Sequence, residues 1–215
     1  MPGPEFFRNL GLFVLDGFLH QGLCTQLCTE MSVAPSKPGA IFLGSSGEGR
    51  VDESIRRVLR AKVRGTNERL VEERLELLRP KLEEHFRVSL PASEPPEFLV
   101  YTPGGFFSPH ADATQHSPPA TRRRRVSVVI FLNSESDQPA QDCYVGGQLR
   151  FHRILDDAQW HNCAFSLDSE PGRLVAFRSD ALHEVQPVTF GHRFTVVSWF
   201  LAGVPEPGPG ITVPV

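Results

Sequence analysis

The sequence is short of the features that mark several common protein classes. Its 215 residues include only four cysteines, Cys24, Cys28, Cys143 and Cys163. They are too few and too scattered for a disulfide framework, and none has the CxxC spacing of a zinc or redox site. No apolar run approaches the roughly 18 residues that a membrane-spanning helix requires. The opening residues lack a basic segment followed by an apolar stretch and a cleavage site, the form of a secretory signal. Neither sign of charge dominates: 22 basic against 25 acidic side chains leave −3. There is thus no global basic field of the kind that drives nucleic-acid binding. Together these absences predict a soluble, reduced protein of the cytoplasm or another intracellular space, engaging no membrane. No internal repeat is visible.

What is present suits one globular domain over 1–215, since 40% of the residues are hydrophobic and the length allows a sizeable core. Residues 1–95 read as mainly helical support. Asp16 is placed to cap a helix carrying Phe18, Leu19, Leu23, Leu27, Cys28 and Met31 at helical period, with Cys24 and Cys28 on one face. Pro35 to Gly49 is rich in Gly, Ser and Pro and reads as a loop. Val51 to Val63 fits either a helix or irregular chain. Leu70, Val71, Leu75, Leu78, Leu82 and Phe86 form an amphipathic stripe, with a kink or break expected at Pro80, which lacks a donor N–H.

From about Glu97 the texture changes to short β-rich runs: Phe98–Tyr101, Val126–Leu132, Gln148–Phe151, Arg173–Phe177, Leu182–Gln186 and Phe194–Phe200. Turn-forming residues separate them. The pattern predicts a mostly β core over 96–202, a sandwich or barrel with flanking helices, and a double-sheet jelly roll is the form with a ligand-holding mouth. Residues 203–215, with four prolines and three glycines, read as a tail.

Within the β-rich half stands a split constellation. His110 and Asp112 are two apart, so on a strand they share a face. His183 lies in a strand-like run that ends at Pro187. Two imidazoles and one carboxylate suit a facial triad on ferrous iron, which leaves coordination positions open. Alone, a His-x-Asp pair is a weak signal, and most of the eight histidines belong to surface or core. Arg193 follows His183 by ten residues, across a hairpin or a corner crossing between sheets. If it points inward it needs a carboxylate partner, because an unpaired buried guanidinium is costly. That partner is either an acid of the chain, Glu184 or Asp180, or a ligand carboxylate. The ligand is favoured, because Glu184 alternates with His183 and should face outward.

At these residues the chain resembles the 2-oxoglutarate and iron(II)-dependent dioxygenases, specifically the prolyl 4-hydroxylase-like branch. The resemblance is carried by five collinear blocks: Tyr101–Asp112, Arg125–Asn133, Gly146–Phe151, Pro171–Phe177, and Leu182–Arg193 continuing through Trp199. It implies a double-stranded β-helix, the jelly roll, with N-terminal supporting helices. It further implies that His110, Asp112 and His183 hold Fe(II) and that Arg193 pairs with the distal carboxylate of 2-oxoglutarate. Tyr101 matches a tyrosine that hydrogen-bonds the cosubstrate. Ser127 stands where relatives carry a threonine near the same carboxylate, and Phe131 where many carry a tyrosine, so a hydroxyl is missing there. Trp199 matches an aromatic near the pocket, its alternative being a plain core tryptophan. The implied activity is O₂-dependent hydroxylation of a C–H bond coupled to conversion of 2-oxoglutarate to succinate, with ascorbate as candidate reductant.

The expected substrate is a peptidyl residue such as proline. The alternatives are a free amino acid or small metabolite, a nucleic-acid demethylation suggested only by the run Arg122–Arg125, and a non-catalytic jelly-roll binding module. The arginine run reads first as a solvated strand entry. The polar loops Thr114–Thr121 and Asn133–Gly147 are candidate substrate lids, and Glu48–Asp52 a candidate mouth segment. His116, His152, His161 and His192 read as surface or structural. Oligomeric state is left open.

Overall fold

Strands of alternating character and two amphipathic helices decide the architecture. A computed structural model of the chain describes residues 3–42, 49–119, 121–140, 142–154 and 163–203. The stretch 204–215, Glu48 and His161 lie outside these. In chain order the elements are α1 (Pro4–Asn9), β1 (Leu12–Leu15), α2 (Gln21–Val33), β2 (Ser36–Pro38), β3 (Ile41–Phe42), β4 (Gly49–Arg50), β5 (Arg56–Arg57), β6 (Leu59–Ala61), α3 (Gly65–Phe86) and β7 (Ala92–Ser93). They continue as β8 (Glu97–Tyr101), β9 (Phe106–His110), β10 (Arg124–Phe131), β11 (Val145–Gly146), β12 (Leu149–His152), β13 (Ala164–Leu167), β14 (Leu174–Arg178), β15 (His183–Val185), β16 (Val188–Phe190) and β17 (Arg193–Leu201).

The strands form a jelly roll. The major sheet runs β1-β14-β10-β17-β8-β6-β2, with β7 attached to β17, and the minor sheet runs β13-β12-β15-β9-β5. Every pairing between these strands is antiparallel. The N-terminal part is therefore more than helical support. It supplies strands to both sheets, and the ambiguous stretch after Val51 becomes β5 and β6.

The major sheet is buried on both faces, and side-chain alternation sorts its residues between two cores. On one face Val126, Val128, Ile130, Leu174, Ala176 and Val196 meet Leu23, Leu27, Val71, Leu75, Leu78 and Leu82 of α2 and α3. On the other face Leu99, Val129, Phe131, Val175 and Phe177 meet Leu149, Phe151, Leu167 and Val185 of the minor sheet. Two-sided burial explains why β10 and β17 read as near-continuous apolar runs rather than clean alternations.

Two local expectations need correction. Asp16 does not cap α2: His20 does, its imidazole accepting from the Leu23 amide at 3.1 Å. Asp16 instead pairs with the buried Arg173 at 2.6 Å, a long-range partner that outcompetes the local capping role. Nor does Pro80 break α3, which continues to Phe86. Leu75, Leu78 and Leu82 all stay buried against the sheet, and that packing holds the helix together across the missing hydrogen bond.

The helical layer is joined to the β core where α2 begins. The Leu19 amide donates to the Gly172 carbonyl at 3.2 Å. Gly172 has φ +81°, and a Cβ there would sit on the Leu19 carbonyl oxygen. Gly172→Ala combines a left-handed backbone with a clash against main chain, so it should destabilise the protein by about 3 kcal/mol or more. Urea unfolding followed by circular dichroism checks this, and an unchanged midpoint would contradict the packing described.

Candidate active site

Three side chains that are far apart in sequence converge because two minor-sheet strands pair in register. His110 closes β9, His183 opens β15, and the two are direct cross-strand partners. Asp112 lies past the end of β9, so strand alternation is not what aims it. The turn that carries it is held instead by the Ala113 amide, which donates to the Ser179 carbonyl at 2.9 Å. The nearest ligand atoms of His110, Asp112 and His183 all fall within 4.8 Å of one another.

Each histidine has one ring nitrogen engaged by backbone. His110 Nδ1 lies 2.8 Å from the Ser108 carbonyl and His183 Nδ1 3.0 Å from the Ala181 carbonyl. A carbonyl only accepts, so each Nδ1 carries a proton, which leaves Nε2 as the ring nitrogen that can coordinate a metal. The two Nε2 atoms face the Asp112 carboxylate at 3.6 and 3.8 Å. Burial holds His183 neutral, lowering its pKa to about 4. Burial acts against ionisation of Asp112 as well, but the attraction of the imidazoles in their protonated form and the hydrogen bonds from His110 and Ser127 outweigh it and hold the carboxyl well below its ordinary range. Two neutral imidazoles and one carboxylate are the donor set of a 2-His-1-carboxylate site, so the residues present fit a divalent metal. Aromatic rings fix the ligands: Phe107 stacks on His110 with centroids 3.4 Å apart, and Phe177 meets His183 edge-on at 4.7 Å.

A narrow cavity leads from this cluster to Arg193, lined on the way by Tyr101, Leu149, Val185 and Thr195. Arg193 opens β17 in the major sheet while His183 sits in the minor one, so the chain between them makes a corner crossing rather than a hairpin. Arg193 is only 1% exposed, yet among the described residues no carboxylate lies within 4.0 Å of it, Glu135 feeling its charge only from farther away. Glu184 bonds Gln186 and faces His152, and Asp180 pairs with Arg178. Nη1 makes a long contact of 3.4 Å to the Thr195 hydroxyl, and Nε and Nη2 are buried without a partner. The guanidinium stands 5.1 Å from the Tyr101 ring and 5.5 Å from that of Phe131. A buried cation with two idle donors is strongly unfavourable unless an anion reaches it.

The other expected residues divide. Tyr101 is the cross-strand partner of Arg193 and is buried beside it. Trp199 lines both the narrow cavity and a wider one of about 480 Å³ that adjoins the metal cluster. Ser127 does not line the narrow cavity. It lies against Asp112, with its hydroxyl 2.9 Å from that of Ser179, so its place is behind a metal ligand rather than at the far carboxylate position. Thr195, two residues after Arg193 and hence on the same face of β17, occupies that position instead. Tyr144 was also not singled out. It is buried with its hydroxyl donating to Ser169 at 2.8 Å, and it packs with Arg193 around Gly147. It thus supplies a hydroxyl-bearing ring that Phe131 lacks. Tyr144 belongs to the stretch expected as a lid, Asn133–Gly147, but its burial and the Asn133 contacts to His192 and Phe194 tie that stretch to the body.

Three of the four arginines of the run bond to the fold: Arg123 to the Ala202 carbonyl, Arg124 to Glu94 with two bonds of 2.7 Å, and Arg125 to the Arg122 carbonyl. In the loop Thr114–Thr121, Ser117 and Thr121 line the wider cavity.

Comparison with known proteins agrees with this geometry. Residues 96–201 match the 2OG-Fe(II) oxygenase superfamily. A PKHD-type hydroxylase of Sphingopyxis alaskensis is 32% identical over 120 residues, 55% of this chain and 49% of that protein. One of Parvibaculum lavamentivorans is 34% identical over 115 residues, 52% of this chain and 45% of the relative. The chain thus spans about half the length of these relatives. Among solved structures, a Pseudomonas putida prolyl-4-hydroxylase superposes with TM-score 0.67 at 25% identity, over 90% of this chain and 94% of its own. A prolyl hydroxylase from Trichoplax adhaerens, solved with a hypoxia inducible factor peptide fragment, shares the fold with TM-score 0.69 at 18% identity, over 92% and 88% of the two chains. Over residues 96–201 the chain is thus similar to 2OG-Fe(II) oxygenases, and its fold is similar to that of these prolyl hydroxylases.

The idle guanidinium has a measurable consequence. Arg193→Met replaces an unpaired buried cation by an apolar side chain of similar length, and should leave the ligand-free protein as stable as wild type or more stable by about 1–3 kcal/mol. Chemical denaturation without added metal or dicarboxylate checks this. A marked loss of stability would mean that Arg193 is already paired.

Proposed function

We propose that this protein is an iron(II)- and 2-oxoglutarate-dependent dioxygenase that hydroxylates a C–H bond of a peptidyl residue, proline being the favoured one. The observation that carries the reading is the pairing of two incomplete sites along one cavity. At one end stands a metal-ready triad, and at the other a buried arginine lacks an anion. A dicarboxylic 2-oxo acid completes both at once.

In this reading His110, Asp112 and His183 hold the metal, and the carbonyl-bonded Nδ1 atoms keep both rings in the tautomer that coordinates. Ser127 fixes the rotation of the Asp112 carboxylate. Arg193 holds the far carboxylate of 2-oxoglutarate with Nε and Nη2, Thr195 adds its hydroxyl, and Tyr101 walls the chain between. Leu99, Val129, Leu149 and Val185 keep water from the cavity and so strengthen the charge pair. When bound, the metal with 2-oxoglutarate and O₂ supplies the oxidising chemistry, yielding succinate, carbon dioxide and a hydroxylated substrate. Ascorbate as reductant belongs to the same reading. The wider cavity past Trp199 receives the substrate. A peptide is favoured there because a fold neighbour holds one and the named relatives are hydroxylases.

Two variants test the assignment. Arg193→Ala should weaken 2-oxoglutarate binding by about one to two decades, the worth of a charge-assisted pair, with metal binding retained in a metal titration. Asp112→Ala removes the only anionic ligand, so succinate formation should fall to background while circular dichroism stays unchanged. Wild-type turnover by Asp112→Ala, or wild-type 2-oxoglutarate affinity in Arg193→Ala, would refute the assignment.

A further inference from the structure

The wider cavity holds a second arginine whose situation resembles that of Arg193, and no role has yet been assigned to it. Arg56 begins β5, the strand beside the ligand strand β9, and its register partner is Phe107. It is 8% exposed. Nη1 donates to the Ala40 carbonyl at 2.7 Å, while Nε is buried without a partner. Among the described residues no carboxylate pairs with it. Its neighbours in the same cavity differ: Arg60 is paired with Glu97 at 3.0 Å and Arg124 with Glu94. Of the three arginines of the cavity wall, Arg56 is the one without a counter-ion among the described residues, and it is a buried one.

The guanidinium is also held rigidly. It lies 4.8 Å from the centre of the Phe107 ring, and that ring stacks on His110. Gly39 covers its other side closely enough that a Cβ there would approach the guanidinium carbon to 3.3 Å. The cation is therefore two ring contacts from a metal-binding imidazole, with the edge containing Nε still to be satisfied. Lys37 adds a positive charge to the same cavity, whose remaining wall includes Pro38, Ile41, Ile55 and Trp199.

We infer that the substrate carries a carboxylate close to the bond that is oxidised, and that Arg56 is the specificity-determining residue that binds it. A buried, fixed cation with a free Nε, reinforced by Lys37 on the same wall and flanked by Ile41, Ile55 and Trp199, matches a monoanion on a short stem, because a guanidinium edge offers the parallel donors that a carboxylate accepts. The carboxylate comes either from an acidic residue or chain end of a peptide, or from a free amino acid. This inference rests on the oxygenase reading above, because it takes the wider cavity to be the substrate site.

The experiment uses the full chain with Fe(II) and saturating 2-oxoglutarate, O₂ excluded, so that the Arg193 end is already filled. One arm selects from a capped peptide library with a fixed central proline and randomised neighbours. The other titrates amino acids, proline among them, against their carboxamides. Wild type should enrich Asp or Glu at one fixed position in the first arm, or bind acids at least about tenfold better than amides in the second, the scale of one charge-assisted bond. The arm that responds identifies the source of the carboxylate. R56Q should lose the preference and R56K should keep part of it; because Arg56 also borders the narrow cavity, each variant's own 2-oxoglutarate affinity is measured first and the comparison is made at saturation. No preference for acids in either arm, or an equal preference in R56Q, overturns the inference. Failure of wild type to bind 2-oxoglutarate at all would instead overturn the oxygenase reading, so the two failures are distinguishable.

Discussion

Everything in this molecule depends on the major sheet being covered twice. Helices α2 and α3 bury one face with leucine, valine and methionine, and that apolar contact supplies the main stabilisation. The opposite face is thereby free to carry groups that a core would reject. β17 shows the division most clearly: Phe194, Val196 and Phe200 turn to the helices, while Arg193, Thr195 and Trp199 turn to the cavity. A buried unpaired cation such as Arg193 costs several kcal/mol, which a sheet with one packed face could not carry without loss of fold.

The minor sheet does different work. It contributes less apolar surface, but its register sets the distance between the two metal-facing imidazoles. Because side chains alternate along a strand, a slip of one residue between β9 and β15 would send one imidazole to the outer face. The rings of Phe107, Phe151 and Phe177 packed around the histidines guard against such a slip. The carboxylate is held by other means, a turn tied to Ser179, so the triad is assembled from a sheet and a loop together.

Much of this was legible in the sequence, and the failures have physical causes. The β-rich runs after Glu97 were visible because two-sided burial writes them as dense apolar segments. His110, Asp112, His183 and Arg193 stood out because ionisable groups interrupt those segments. The role of Asp16 was misread because a capping rule is local, whereas its partner Arg173 is 157 residues away. Pro80 does not end α3, because the sheet beneath the helix, which propensity ignores, holds its leucines on either side. Strands β5 and β6 were illegible because two- and three-residue pairings leave no periodicity. Thr195 could have been found from its parity with Arg193. Tyr144 could not, since only the folded corner brings it to Arg193.

The family match in sequence covers 96–201, whereas the likeness in shape extends over nine-tenths of the chain. The two-layer packing accounts for the difference. Residues behind the sheet must fill volume, a demand that many sequences can meet. The same part of the chain also sends Lys37, Ile41 and Arg56 to the rim of the cavity on pairings only two or three residues long. The triad and much of this rim are thus carried by separate halves of the chain. The shape and charge of the cavity mouth can therefore be altered by substitutions in the first sixty residues that leave His110, Asp112 and His183 in place.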